Sequence, residues 1–433
     1  MLVHLPSRHR LVRNSNRGDF VSTPEEKSLI YDWAENSPRR ARWPSYVEVH
    51  DETLRDGLQS PSVTDPSVET KLQILHLMES LSIETADIGL PGASERQREA
   101  VVRLSREIAQ HRMRIRATCA ARTMIVDIRP IAEASQLTGV PIEALIFIGS
   151  SPIRQYAEQW RLDDILRHSR EAIAFAVREG LEVMYVTEDT VRSSPDDLRI
   201  LLTAAVEGGA KRLCLCDTCG AATPDGVFNL VTWVKELLHE IGSPQIGIDW
   251  HGHRDRGLDV ANALAAIEAG ASRIHGTALG IGERVGNTAI EQLLVNLKLL
   301  GIRNDDLTRL PEYVQLVSQV TGVPIPVNTP IVGSDAFRTA TGVHAAAVVK
   351  AQKKGHEWLA DRIYSGVPAG WIGRSQKIEI GPMSGNSNVQ YYLASHGLPV
   401  TPELTKRIMG EAKKSPRVLT DAEILEIVRS FPS

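Results

Sequence analysis

Gln245-Ile246-Gly247-Ile248-Asp249-Trp250-His251-Gly252-His253 is a short apolar run closed by two histidines at i and i+2, and the helix-like Gly257-Leu258-Asp259-Val260-Ala261-Asn262-Ala263-Leu264 follows it. Side chains two apart on a strand project to the same side, so both imidazoles can reach one divalent ion. Taken alone, the pair fits hydrogen-bonded structural histidines equally well. Its reading is decided by what surrounds it, because the same order of apolar run, polar residues and helical stretch recurs along the chain.

Strand-like runs occupy 46–50, 84–89, 114–119, 144–149, 181–187, 212–216, 246–250 and 273–276. Their starts lie about 27 to 38 residues apart, and intervening stretches such as 68–81 and 224–241 carry apolar residues at i, i+3, i+4 and i+7. Eight βα units in about 230 residues predict a closed (β/α)8 TIM barrel rather than an open doubly wound sheet. The polar residues agree. Asp51, Arg55 and Asp56 follow the first run, Asp87 ends the second, and Ser150 and Ser151 follow the fourth. Glu188 and Asp189 follow the fifth, Asp217 and Thr218 the sixth, His251 and His253 the seventh, and Thr277 the eighth. All fall on the C-terminal ends of strands, the rim on which a barrel builds its active site.

Around this barrel, placed at 46–300, the sequence divides further. Residues 1–45 are polar and rich in Arg, Ser and Pro, with one short helical stretch at 25–35, and form an N-terminal arm. Residues 301–330 read as a linker because Gly322, Pro324, Pro326 and Pro330 break any regular pattern. Residues 331–433 form a smaller, mainly helical C-terminal region that closes with a pair of terminal helices and is expected to act as a lid or dimerisation element.

Composition narrows the function. A formal charge of −4 over 433 residues, with interspersed signs, gives no basic stripe for nucleic acid, and no apolar run reaches the roughly 20 residues of a membrane span. Four cysteines and the lack of a signal-peptide pattern at the start predict a cytoplasmic protein. Cys214 and Cys216 lie in a strand run and read as small core residues, so the group with Cys219 is not taken as a metal site.

One carboxylate and two imidazoles on a divalent ion leave coordination positions open, and a 2-oxo acid fills them by chelation through its carboxylate and keto oxygens. An adjacent arginine adds fixed positive charge where an alkoxide develops. Asp56, His251, His253 and Arg55 supply that set.

These residues stand in a wider pattern: Asp51-Glu52-Thr53-Leu54-Arg55-Asp56-Gly57-Leu58-Gln59, Glu188-Asp189, Asp217-Thr218-Cys219-Gly220, the two histidines, Gly280-Ile281-Gly282-Glu283-Arg284-Val285-Gly286-Asn287 and Gly342-Val343-His344. In that combination the chain, from about 47 to 388, resembles the DRE-TIM metallolyases, and within them the acetyl-CoA-dependent 2-oxo-acid condensing enzymes: 2-isopropylmalate, homocitrate and citramalate synthases. The resemblance implies a Claisen-type condensation of acetyl-CoA with a 2-oxo acid, followed by thioester hydrolysis. It implies a divalent cation, Mg²⁺, Mn²⁺ or Zn²⁺, held by Asp56, His251 and His253 with Asn287 close by. It places Arg55 at the reacting oxygens, Gln59 and Thr218 at the substrate, and Glu188, His344 and Tyr364 at acid/base positions. His344 and Tyr364 would reach the barrel from the C-terminal region of a partner subunit, in a homodimer.

The chain departs from that pattern in places. Leu58 stands where the synthases commonly carry an acidic residue, which gives the RDGLQ spelling of the hydroxymethylglutaryl-CoA lyase branch. The 282–287 loop has no cysteine, however, and this favours the synthases. Arg154 replaces a histidine usual in the isopropylmalate branch and is a cation suited to a distal substrate carboxylate, as homocitrate synthesis needs. The GERxGN spelling leans the other way, toward isopropylmalate or citramalate. Tyr364 sits in an unusual Tyr-Ser-Gly-Val-Pro setting, and a chain ending at Ser433 is expected to lack the domain through which leucine inhibits many isopropylmalate synthases.

Overall fold

The computed structural model describes residues 24–34, 41–355 and 357–431. Eight parallel strands, β1 (Glu48–Asp51), β2 (Thr85–Asp87), β3 (Arg116–Arg122), β4 (Ile142–Gly149), β5 (Glu182–Glu188), β6 (Arg212–Asp217), β7 (Gly247–Gly252) and β8 (Arg273–Gly276), pair in chain order. β8 returns to β1 with Glu48 opposite Arg273 and Asp51 opposite Gly276, which closes the barrel. Each of the eight predicted runs overlaps one of these strands.

Period-two alternation sends successive residues to different cores. On β6, Leu213 and Leu215 join the large cluster that also holds Val227, Val231 and Val234 of the helix Pro224–Glu240. Between them, Cys214 and Cys216 join a separate small cluster with Ala120, Leu145 and Met184. The strand-to-helix loops end at hydroxyl caps: Ser67, Ser94, Ser194 and Thr223 each accept from a backbone N–H of the helix that follows. Fixed helix starts hold the rim loops in place.

The stretch 301–330, read as a linker, contains the helix Leu310–Thr321, which packs on the helix Val68–Ser80. Its Tyr313 is fully buried, and the hydroxyl donates to Asp51 Oδ2 at 2.5 Å and meets Thr53 Oγ1 at 2.9 Å. Leu310, Tyr313, Val314 and Val317 supply a buried face whose i, i+3, i+4, i+7 spacing the neighbouring prolines obscured. Beyond it, β9 (Arg338–Thr339) pairs with β10 (Lys377–Ile378). Helices Asn386–Ser395, Pro402–Lys414 and Asp421–Arg429, three where two were expected, bury Val389, Leu393, Leu404, Ile408 and Ile424 in a core of their own. By itself, residues 24–34 hold the short helix Pro24–Leu29, less than the 25–35 predicted, and an edge-to-face contact of Tyr31 with Trp33; residue 35 lies outside the described residues. Among the described residues no helix is long and apolar enough to cross a membrane.

Candidate active site and metal centre

Asp249, His251 and His253 alternate with Ile248, Trp250 and Gly252, so the polar trio lies on one side of β7 and the residue after it while Ile248 and Trp250 pack outward with the helices. The two imidazoles face each other with Nε2 atoms 3.2 Å apart. At the end of β1 a tight turn, in which the Arg55 and Gly57 N–H groups both donate to the Glu52 carbonyl, aims Asp56 at the same point. His253 Nε2 lies 3.8 Å from Asp56 Oδ2, and ligand atoms of Asp56, His251 and His253 all fall within 4.8 Å of one another.

Asn287 completes the set from the loop after β8. Its Nδ2 donates to Asp56 Oδ2 at 2.6 Å and to the Ile281 carbonyl at 3.1 Å. That seat depends on two glycines with positive φ. A Cβ on Gly286 would lie 1.7 Å from the Gly280 carbonyl oxygen, and one on Gly282 would lie 2.2 Å from Asn287 Nδ2. Asn287 Oδ1 and His253 Nδ1 are buried without a hydrogen-bond partner among the described residues. A mixed oxygen and nitrogen donor set with an unsatisfied carbonyl oxygen beside it fits a divalent cation.

Electrostatics set the protonation of the pair. Burial works against charge on His251, yet the Glu52 carboxylate, 2.8 Å from His251 Nδ1, raises it to about 10. Burial and the charge of His251 push His253 down to about 4. Two rings this close do not both carry a proton. Arg55 sits among three carboxylates, with Nε to Asp87 Oδ2 at 2.6 Å, Nη1 to Asp56 Oδ1 at 2.9 Å and Nη2 to Glu52 Oε1 at 3.0 Å. Burial opposes its charge, but those carboxylates more than offset this and hold the guanidinium above its ordinary value. Asp87 is raised to about 6 by burial, which the Arg55 charge only partly offsets.

Below the site, a buried polar chain continues into the barrel. His275 bridges Glu52 Oε1 (3.0 Å from Nδ1) and Asp249 Oδ2 (2.9 Å from Nε2), and Asp249 accepts from Arg212 and Arg273. Arg273 reaches on to Glu143 Oε2 at 2.8 Å. Burial disfavours the Asp249 carboxylate, and the two arginines overcome it and hold the group well below its usual range. Glu52, Asp87, Asp249 and His275 are the residues that sequence reasoning left without a role. For Asp87, Asp249 and His275 the signal was a polar residue inside an apolar strand run, with Asp249 two positions before His251, whereas Glu52 lies just past its run.

One cavity of about 250 Å³ gathers Arg55, Asp56, Gln59, Glu188, Thr218, His251 and His253. The Thr218 hydroxyl accepts from the Asp189 N–H at 2.8 Å, which leaves its own hydrogen to donate into the cavity. Leu90, Ala120, Leu145, Phe147, Val186, Cys214 and Cys216 supply an apolar wall to the same cavity, with Cys216 beside His251 where β6 pairs with β7. Arg154 is not part of that lining. It is half exposed, 3.3 Å from Glu158 and 4.0 Å from Glu188, with its guanidinium 5.7 Å from the Trp160 ring. His344 and Tyr364 are also outside it: both are exposed, and their rings stack with centroids 4.1 Å apart.

The pattern of the family described as HMGL-like matches residues 46–317, the barrel and the helix that follows it. The chain belongs to the HMGL-like family. Among curated members and relatives, a homocitrate synthase of Methanopyrus kandleri is 33% identical over 394 residues, 89% of this chain and 93% of that protein. A 2-isopropylmalate synthase of Halothermothrix orenii is 32% identical over 376 residues, 85% of this chain and 70% of that protein. Of solved structures, an HMG-CoA lyase of Bacillus subtilis matches with a TM-score of 0.55 at 21% identity, over 66% of this chain and 97% of that one. This likeness shows the shared barrel. The resemblance to DRE-TIM condensing enzymes read from the motifs therefore holds at the level of the family.

Proposed function

We propose that this HMGL-like protein is an acyltransferase that condenses acetyl-CoA with a 2-oxo acid bearing an apolar side chain, releasing CoA and a 2-hydroxy dicarboxylate, as a 2-isopropylmalate synthase does. The observation that carries the choice of substrate is the wall of Leu90, Ala120, Leu145, Phe147 and Val186, which shares one cavity with the metal-ligand set. A distal carboxylate pressed against that wall would be buried without a partner, at a cost of several kcal/mol. Arg154, the cation considered for a dicarboxylic oxo acid and so for homocitrate synthesis, does not line this cavity and is engaged by Glu158, by the Trp160 ring and, at the cavity edge, by Glu188. Citramalate synthesis, from the smaller pyruvate, would leave part of the wall unfilled.

Asp56, His251 and His253, with Asn287 beside them, would hold the divalent cation, whether Mg²⁺, Mn²⁺ or Zn²⁺. When bound, it supplies a chelation point for the oxo acid and polarises its keto group. Thr218 donates its hydroxyl toward the substrate carboxylate, and Gln59 stands at the cavity mouth. Arg55, held rigid by three carboxylates, presents a fixed positive charge to the oxygen on which charge develops. Glu188 reaches the cavity edge as an acid/base group. His344 and Tyr364, exposed, stacked and away from their own cavity, serve the barrel of a second copy in a homodimer. A cytoplasmic location suits the four cysteines, all free thiols.

The test is CoA release from acetyl-CoA on addition of 2-oxoisovalerate to the Mn²⁺-loaded protein, with acetoacetate formation from hydroxymethylglutaryl-CoA assayed alongside. CoA release without acetoacetate is the expected result. Acetoacetate formation with no oxo-acid-dependent CoA release would establish the lyase instead.

A further inference from the structure

We propose that His76, Glu107 and His111 form a second metal site, on the outer wall of the barrel, that takes a borderline transition-metal cation of the Zn²⁺, Cu²⁺ or Ni²⁺ class. Glu107 and His111 lie four residues apart near the end of the helix Glu95–His111, so they share one face, and His76 meets them from the neighbouring helix Val68–Ser80. Both imidazoles converge through Nε2 on one carboxylate oxygen. His76 Nε2 is 2.6 Å and His111 Nε2 3.2 Å from Glu107 Oε1, and the three ligand atoms lie within 4.8 Å of one another.

An ordinary surface ion pair needs one histidine and contributes roughly 0 to 1 kcal/mol. Here a second ring is brought to the same oxygen, and the rings stand at 88° with centroids 5.0 Å apart, so they do not stack on each other. Ligands about 2.0 to 2.1 Å from a tetrahedral ion sit about 3.3 Å from one another, close to the His111–Glu107 separation already present, and the exposed His76 ring has to open from 2.6 Å to reach it. Glu107 is largely buried at 17% side-chain exposure while the rings are 40% and 55% exposed, which anchors the carboxylate and leaves the remaining coordination positions open to water. Two neutral imidazoles and one carboxylate favour copper, nickel and zinc over magnesium. A bound ion would tie the two helices together and stabilise the fold, increasingly as the free ion rises above its dissociation constant.

The site is independent of the substrate reading, because its test counts ions rather than turnover. The full chain and its His111→Ala, His76→Ala and Glu107→Gln variants are equilibrated with micromolar Zn²⁺, dialysed, and their zinc measured. The expected result is one ion fewer per chain in His111→Ala and His76→Ala than in the parent, with unchanged circular dichroism and CoA release. Titration with Cu²⁺ should give a paramagnetic resonance signal coupled to two nitrogens that His76→Ala alters. Equal zinc content in the parent and all three variants would overturn the proposal.

Discussion

The inside of the barrel is divided between two sectors that follow different rules. From β7 through β8 and β1 to β2 it is ionic: Asp249, His251, Arg273, His275, Glu52, Arg55 and Asp87 touch one another in an unbroken chain. From β3 to β6 the layer beside the cavity is apolar, lined by Ala120, Leu145, Met184, Val186, Cys214 and Cys216, and below it Glu143 of β4 and Arg212 of β6 join the ionic chain. A buried charge is tolerated only where a partner answers it, so the ionic sector is rigid and position-specific. The apolar sector needs only the right volume and tolerates exchange. The first sector is thereby suited to fixed chemistry, and the second to choosing a side chain.

The ionic sector should break first and hardest. His253→Ala removes a ligand of the proposed ion, and loss of several kcal/mol of charge stabilisation predicts a fall in kcat of at least about 10³-fold. Metal content should fall with it, and near-normal turnover after exhaustive chelation would contradict the assignment. Arg55→Lys keeps the charge but not the planar fork that meets Asp87, Asp56 and Glu52, so kcat is expected to drop about 10²-fold or more. Bound metal should be retained; its loss would make Arg55 a structural partner of Asp56 instead.

The apolar sector should respond more gently and selectively. Ala120→Val adds two methyl groups to the cavity wall and is expected to raise KM for a branched oxo acid about tenfold, while pyruvate is little affected. An equal effect on both acids would remove that wall from substrate selection. Smallest in its effect on turnover is Glu291, fully buried behind the loop after β8, which accepts the Leu279 N–H at 3.0 Å. Burial raises it from 4.5 to about 7. Between these values the folded chain holds a proton that the unfolded chain has released, so stability declines as pH rises across that window, by about 3 kcal/mol in total. Glu291→Gln should flatten that decline in denaturant titrations; an unchanged slope would mean that another group causes it.

The two sectors were not equally legible in the sequence. Strand ends carrying Asp56, Glu188, Thr218 and His251 were readable because each polar residue closes its own apolar run. The pairing of Glu52 with His275 was not, since it arises only when β8 closes on β1 and joins residues far apart in the chain. The apolar wall was hidden for the opposite reason: Leu145 and Cys214 read as ordinary core, and nothing local distinguishes a residue facing a cavity from one facing a helix. The helix Leu310–Thr321 was obscured by the prolines after it, although Tyr313 ties it to Asp51 beside the site. Arg154 was legible as a rim residue, but its engagement with Glu158 and Trp160 depends on the turn of the short helix Pro152–Glu158.

A metal held by Asp56, His251 and His253 beside an apolar wall should select an apolar oxo acid over a dicarboxylic one. The deciding measurement is kcat/KM for CoA release with 2-oxoisovalerate against 2-oxoglutarate in the metal-loaded protein. A preference of at least about tenfold for 2-oxoisovalerate is expected, the scale on which a buried, unpaired carboxylate is rejected. A preference for 2-oxoglutarate would contradict it.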